Sequence, residues 1–156
     1  RHNALLALDE IRRTTPDEKL DPRSKSMIRQ ALSQALNDVD PEIRSIAALT
    51  LGRSGDVKAV PVLLDMAMNG PKDIEAAETL GSIVDAAGPN ADISEQILTE
   101  LHRLADSDDT TTRFRVLQVL LEIPGELSDD FIAELSGDDS PELAATARAA
   151  LERRRR

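Results

Sequence analysis

The sequence predicts an all-α fold in which about nine helices stack as successive hairpins into a right-handed α-α superhelix. Three observations support this prediction: a segment that recurs along the chain, helix start signals between the recurrences, and an apolar composition dominated by small aliphatic residues. No run alternates apolar and polar residues for long enough to indicate a strand. We therefore expect residues 1–156 to form a single domain of repeated helical units.

The recurring segment is clearest at residues 40–52, which read DPEIRSIAALTLG. Residues 76–81, AAETLG, restate its second half, and residues 139–151 begin in a similar way with DSPEL. A weaker copy lies between these two, with Arg113 in the place of Arg44. Such repeats are typical of solenoids, in which each unit buries its apolar face against its neighbours. We place the units at about 3–37, 40–69, 70–105, 109–136 and 139–154.

Capping residues and prolines predict where the helices begin. An acceptor side chain precedes a proline at 21–22, 40–41 and 140–141, which is typical of an N-cap followed by the first helical residue. Asp92 and Glu95 have the spacing of a capping box. Glycines mark the helix ends, and we expect Gly52 to provide a left-handed C-cap. The predicted helices are 3–14, 22–37, 41–53, 56–69, 71–87, 92–105, 110–123, 128–136 and 140–154.

The composition excludes several kinds of site. The chain has 156 residues, a net charge of −10 and no cysteine, so it has no disulfide, thiolate metal site or cysteine nucleophile. The negative charge opposes general attraction to DNA, RNA or anionic membranes. Acids far outnumber bases from 106 to 142, whereas the chain ends in four arginines. We expect these arginines to complement the C-terminal end of the last helix and then fray.

No pattern in the sequence predicts catalysis, a cofactor or a metal. Only His2 and His102 are present, and neither has a partner at catalytic or metal-ligating spacing. The aspartates at 106–109 and 138–139 are predicted to cap helices, since they lack the ligand spacing of a calcium loop. Residues 52–58 faintly suggest a phosphate loop, but a helix end followed by a helix start explains them better.

The chain has no apolar stretch long enough to cross a membrane and no signal-like segment near its start. The absence of cysteine is compatible with a reducing compartment, and we expect a cytoplasmic protein. The chain begins at Arg1 rather than Met, which is compatible with a longer native polypeptide.

The segment I-R-x-x-A-A-x-T-L-G at 43–52, followed by D-x-x-A-V-P-V-L-L at 56–64, resembles HEAT-like repeats of the phycobilisome-lyase type. The resemblance implies an α-solenoid that binds other proteins. It also implies that Arg44, and Arg113 at the corresponding position, pair with an acid of a neighbouring repeat. Ala47 and Ala48 would allow the first helices of adjacent units to approach closely, and Asp56 would cap the next helix.

The same resemblance implies that the partner binds a concave face lined by the second helix of each unit. The leading hypothesis is a non-enzymatic scaffold that recognises another protein, or another domain of its own longer polypeptide, there and along the acidic 106–142 side. No nucleic acid, membrane or small-molecule substrate is expected. The candidate contacts are Gln30, Gln34, Asn37, Lys58, Val62, Asp65, Met66, Asn69, Gln96, Glu100, Arg103, Asp130 and Glu134, with Val62 and Met66 as exposed apolar contacts.

Two alternatives belong to other classes. The family resemblance also permits a chromophore-lyase-like or lyase-accessory activity, although the chain has no Trp or Tyr and only two histidines. Some HEAT-like proteins bind nucleic acid, but they do so with cationic grooves and aromatic contacts. Neither feature is apparent in this sequence.

Overall fold

The computed structural model describes residues 2–156, apart from the side chain of Asp17. These residues form nine α-helices and two 3-10 turns, Asp17–Lys19 and Val57–Ala59, and they contain no strand. The all-α prediction is therefore confirmed. The helices are α1 (His2–Thr14), α2 (Pro22–Ala35), α3 (Pro41–Arg53), α4 (Val60–Asn69), α5 (Asp73–Ala87), α6 (Asp92–Ala105), α7 (Thr110–Glu122), α8 (Gly125–Leu135) and α9 (Pro141–Arg155).

The helices form two sets. The odd-numbered helices, called the first helices below, pack in chain order: α1 on α3, α3 on α5, α5 on α7 and α7 on α9. The even-numbered helices, called the second helices, pack against the first helices: α4 contacts α3, α5 and α7, α6 contacts α5 and α7, and α8 contacts α7 and α9. The core between the two sets consists mainly of Leu, Ile, Val and Ala side chains.

Small residues determine how closely the first helices approach one another. Ala47 and Ala76 are completely buried. Gly52 is also buried inside α3, so the prediction that it forms a left-handed C-cap is wrong. A Cβ atom at Gly52 would lie 2.5 Å from Thr79 Cγ2 on α5 and 2.9 Å from Leu63 Cδ1 on α4. The glycine therefore allows α3 to pack closely on both helices, because a side chain there would displace the methyl groups of Thr79 and Leu63.

Gly81 plays the same role between α5 and α7. A Cβ atom there would clash with the backbone carbonyl oxygen of Glu122, near the end of α7. Because that oxygen belongs to the main chain, α7 could make room only by moving. The positive φ that favours glycine occurs instead at Gly55, where φ is +78°, and at Gly88, where φ is +88°.

Side-chain caps fix most of the predicted helix starts. Asp21 accepts from the amide of Ser24, and Asp40 accepts from the amide of Glu42. Asp56 accepts from the amide of Lys58. It therefore caps the 3-10 turn Val57–Ala59, whereas the prediction placed the start of a helix at residue 56.

Two helix starts differ from the prediction. The capping box at Asp92 does not form: the N-cap is Ala91, which makes no side-chain cap hydrogen bond, and Asp92 is the first helical residue. Ser94 turns inward and donates to the carbonyl of Gly88 at 2.8 Å. Helix α8 begins at Gly125 rather than at residue 128, and Ser128 lies inside it.

Buried arginines connect neighbouring units. Arg113 Nε donates to Asp138 Oδ2 at 3.0 Å and its Nη2 donates to Asp139 Oδ1 at 2.7 Å, across the turn before α9. The predicted pairing with an acid is thus confirmed at Arg113. Arg44 behaves differently from the prediction, since its Nη1 donates to the main-chain carbonyl oxygens of Asp38 and Val39, at 2.6 and 3.1 Å. It holds the turn that enters α3.

A second pair joins α2 to the turn before α4. Arg29 Nε donates to Asp56 Oδ2 at 2.6 Å, and only 4% of the Asp56 side chain is exposed. Burial raises the pKa of the Asp56 carboxyl, but the hydrogen bonds from Arg29 and from the Lys58 amide outweigh it and hold the pKa below 3.8. Asp56 is therefore both the predicted cap and an inter-helix connection.

Arg154 ties the last helix to the middle of the stack. Its Nη2 donates to the carbonyls of Leu120, Leu121 and Ile123 at 2.9–3.1 Å, and its Nη1 donates to Asp129 Oδ1 at 2.7 Å. These carbonyls lie at or just after the C-terminal end of α7, where a helix runs out of its own amide donors. The Leu120 oxygen also accepts from the Ile123 amide, and the Ile123 oxygen accepts from the Ser128 hydroxyl. Arg154 is helical, as the predicted range 140–154 has it, but it complements the end of α7 rather than the end of its own helix, and α9 extends one residue further, to Arg155.

We expect Gly81→Ala to destabilise the fold by about 2–3 kcal/mol, because the new Cβ forces α5 and α7 apart. Gly137→Ala is the matched control, since a Cβ there makes only ordinary contact with Glu134; its effect should stay below about 1 kcal/mol. Urea unfolding followed by circular dichroism measures both. A stabilising effect of Gly81→Ala would contradict the packing role, because alanine is intrinsically the better helix former.

We expect Arg154→Met to lower the free energy of unfolding by about 2 kcal/mol, since it leaves the α7 carbonyls and Asp129 without their charged donor. Arg155→Met removes a neighbouring exposed arginine and should change stability by less than about 0.5 kcal/mol. Equal effects of the two substitutions on the urea midpoint would show that Arg154 contributes only its charge.

Candidate functional site

A groove lies between α4 and α6, two of the second helices. It encloses about 480 Å³. The apolar floor consists of Val60, Pro61, Leu64, Met68 and Leu104. The polar rim consists of Asp65, Asn69, Gln96, Glu100 and Arg103. An apolar floor with a polar rim is the usual composition of a site that binds a protein segment.

The groove exists because α4 has two apolar faces. Seven of its ten residues are apolar, which is more than one buried stripe requires. Leu63, Met66 and Ala67 are buried in the core. Leu64 is only half-buried, and Met68 lies at the base of the groove. Proline at 61 is tolerated because it lies in the first turn, where its missing amide costs no helical hydrogen bond.

A guanidinium–carboxylate pair organises the rim on α6. Arg103 Nε donates to Glu100 Oε2 at 3.0 Å, and Nη2 donates to Glu100 Oε1. The hydrogen bond from Arg103 is the main cause of a lowered pKa for the Glu100 carboxyl. On the opposite rim, Asn69 Nδ2 donates to Asp65 Oδ1 at 3.1 Å. These partners fix the side chains in defined positions along both edges of the groove.

Five of the candidate contacts predicted from the sequence lie together on this rim: Asp65, Asn69, Gln96, Glu100 and Arg103. Gln30, Gln34, Asn37 and Lys58 are exposed on or beside other elements, as are Asp130 and Glu134 on α8.

Met66 and Val62 differ from the predicted exposed apolar contacts. Met66 is only 5% exposed and belongs to the core, so the prediction that it is a surface contact is wrong. Val62 is half-buried and packs against the core. Met66 lies three residues after Leu63 and next to Ala67, so all three belong to one buried face of α4.

The floor residues Leu64, Met68 and Leu104 were not among the predicted contacts. The signal that could have identified them is the excess of apolar residues in α4, since a helix that is apolar nearly all round must bury or present a second face.

His102 and Phe131 form an aromatic contact between α6 and α8. Their ring centroids are 3.7 Å apart and the planes differ by 4°, which is a stacked arrangement. His102 Nδ1 also lies 4.0 Å from Glu134 Oε2. His102 remains about half exposed, and its stacking on Phe131 is a contact between α6 and α8.

Among residues 2–156, no group of three or more His, Cys, Asp or Glu side chains could hold a metal ion. Within the same range, no helix combines the length and the apolar character that crossing a bilayer requires.

Comparison with known families agrees with this architecture. A family model described as HEAT repeats matches residues 1–84, which is more than half of the chain. The chain belongs to the HEAT-repeat family. HEAT repeats commonly mediate protein–protein interaction, and the family is typically non-enzymatic. The search of curated protein sequences gave no significant match. The matched model concerns HEAT repeats in general, so the narrower phycobilisome-lyase subtype stays a prediction.

We expect the pKa of the Glu100 carboxyl of this HEAT-repeat protein to lie below the ordinary range of a glutamate, because the hydrogen bond from Arg103 stabilises its charged form. Arg103→Gln should raise this pKa towards the ordinary range. Carbon-detected NMR of the glutamate carboxyls measures both values. An unchanged midpoint in the variant would show that the pair does not persist in solution.

Proposed function

We propose that this protein is a non-enzymatic interaction module that binds another protein, or another domain of a longer polypeptide, through the α4–α6 groove. The observation that carries the proposal is the combination of an apolar floor and a fixed polar rim on the surface of the second helices. A groove of this kind gains affinity from burial of apolar area and specificity from the polar rim.

The surroundings of the groove also favour this function. Both walls rest on the same two first helices, since α4 and α6 each contact α5 and α7. Such support keeps the groove formed before a partner arrives, which lowers the entropic cost of binding. Solenoid repeats use their extended surfaces in this way.

The rim residues have partners that suit a binding role better than a catalytic one. The strongest rim contact is the Arg103–Glu100 pair, which neutralises charge rather than preparing a nucleophile or a general base. His102, which is next to the rim residue Arg103 in the sequence, stacks its ring on that of Phe131. Membership of a typically non-enzymatic family supports the same proposal.

The test compares proteins captured from a native lysate by the immobilised wild-type chain and by Leu64→Arg and Leu104→Arg. Each variant places a charge on the groove floor and should reduce capture of the specific partner about tenfold or more. Ile74→Arg is the matched control, since Ile74 is 60% exposed on α5 and does not line the groove. Mass spectrometry quantifies the captured proteins, and circular dichroism confirms that each variant is folded.

Retained capture by both groove variants, with correct folding, would rule out the groove as the binding site. Loss of capture by Ile74→Arg alone would move the site to the first helices. Specific capture that depends on Leu64 and Leu104, but not on Ile74, is the result we expect.

A further inference from the structure

Charge is distributed very unequally between the two halves of the chain. Residues 1–72 contain eleven Lys or Arg and ten Asp or Glu, so this half is nearly neutral. Residues 73–156 contain eight bases and nineteen acids, and four of those bases are the last four residues. The α4–α6 groove lies where the two halves meet, with α6 and α8 on the acidic side.

The second helices around the groove carry almost only negative charge. Among the described residues of α4, α6 and α8, the only arginine or lysine is Arg103, which forms an ion pair with Glu100. The groove continues along α6 into a further cavity of about 340 Å³ that shares Gln96 and Glu100. The carboxylates of these three helices are Asp65, Asp92, Glu95, Glu100, Glu126, Asp129, Asp130 and Glu134.

The groove therefore combines two properties that select one kind of partner. Its apolar floor requires apolar side chains, and its acidic surroundings favour a partner that carries positive charge beside them. A uniformly basic segment would leave the exposed parts of Leu64 and Leu104 in water. A purely apolar segment would bring no positive charge to Asp65, Asp92 and Glu95.

The form of the partner follows from the backbone. The walls are helices, whose amides and carbonyls are paired internally, so the groove has no sheet edge to which an extended strand could add. A helix brings its own backbone hydrogen bonds and can pack its side chains between those of two parallel or antiparallel neighbours. An apolar stripe on such a helix would face the floor, and its flanks would face the rim.

We propose that the α4–α6 groove binds an amphipathic helix whose apolar stripe is flanked by lysine or arginine. This inference rests on the proposed function and names the class of partner. The paired Arg103–Glu100 rim contributes little net charge, so Asp65, Asp92 and Glu95 supply the attraction nearest to the groove.

The experiment uses three synthetic fluorescent peptides of about 18 residues, which is about five helical turns. The first is an amphipathic Leu–Ala–Lys helix, the second has the same composition in a scrambled order without an apolar stripe, and the third replaces every Lys by Glu. Fluorescence anisotropy at about 0.15 M salt, where long-range attraction is screened, gives each Kd for the full chain. We expect the amphipathic Lys peptide to bind about tenfold more tightly than either of the others.

Variants of the protein then locate the binding. Leu64→Gln should weaken binding of the amphipathic Lys peptide about tenfold, because it removes apolar contact from the floor. Glu95→Gln should weaken it about threefold. Glu78→Gln is the matched control for charge, since Glu78 is exposed on α5 outside the groove; it should change the Kd by less than about 1.5-fold.

The outcomes separate this inference from the proposed function. If the Glu peptide bound as tightly as the Lys peptide, or if Glu95→Gln and Glu78→Gln changed the Kd equally, the preference for a positively charged partner would be overturned. A weaker Kd for Leu64→Gln would still identify the groove as a binding site in that case. Equal binding of the scrambled peptide would overturn the helical form of the partner. Binding that ignores Leu64→Gln would overturn the assignment of the peptide to the groove, and lysate capture tests the proposed function independently.

Discussion

The close approach of the first helices is the constraint on which the rest of the structure depends. Gly52 and Gly81 lie where a single Cβ atom would collide with the neighbouring helix, and Ala47 and Ala76 are completely buried. This spacing puts α3, α5 and α7 in continuous contact. The recurring small residues of the sequence are thus a packing requirement, and the partner-binding residues must be sought elsewhere.

The second helices depend on this layer for their positions. Helices α4 and α6 both rest on α5 and α7, and the groove between them is the consequence. Arginines then fix the ends of the stack: Arg113 joins α7 to the turn before α9, and Arg154 joins α9 to the end of α7. The binding surface we propose is therefore supported by packing and ion pairs that take no direct part in recognition.

The helical architecture could be predicted from the sequence because its signals are local. Asp40 followed by proline caps α3 as expected, and Arg113 pairs with acids as the family resemblance implied. The details that failed depend on three-dimensional neighbours. Gly52 has the spacing of a C-cap but serves a contact with Thr79, and Met66 is buried while Leu64 faces the groove. No local pattern shows which of the apolar residues of α4 the neighbouring helices bury, so the opposite placements of Met66 and Leu64 could not be predicted.

The central claim is that the groove between α4 and α6 is the surface that a partner covers. Methyl NMR of the labelled chain, with the partner isolated by capture added stepwise, tests this claim most directly. The account predicts that the methyl signals of Leu64, Met68 and Leu104 shift and saturate together, while that of Ile74 on α5 does not move. Saturable shifts at Ile74 with unchanged signals from the three groove residues would contradict it.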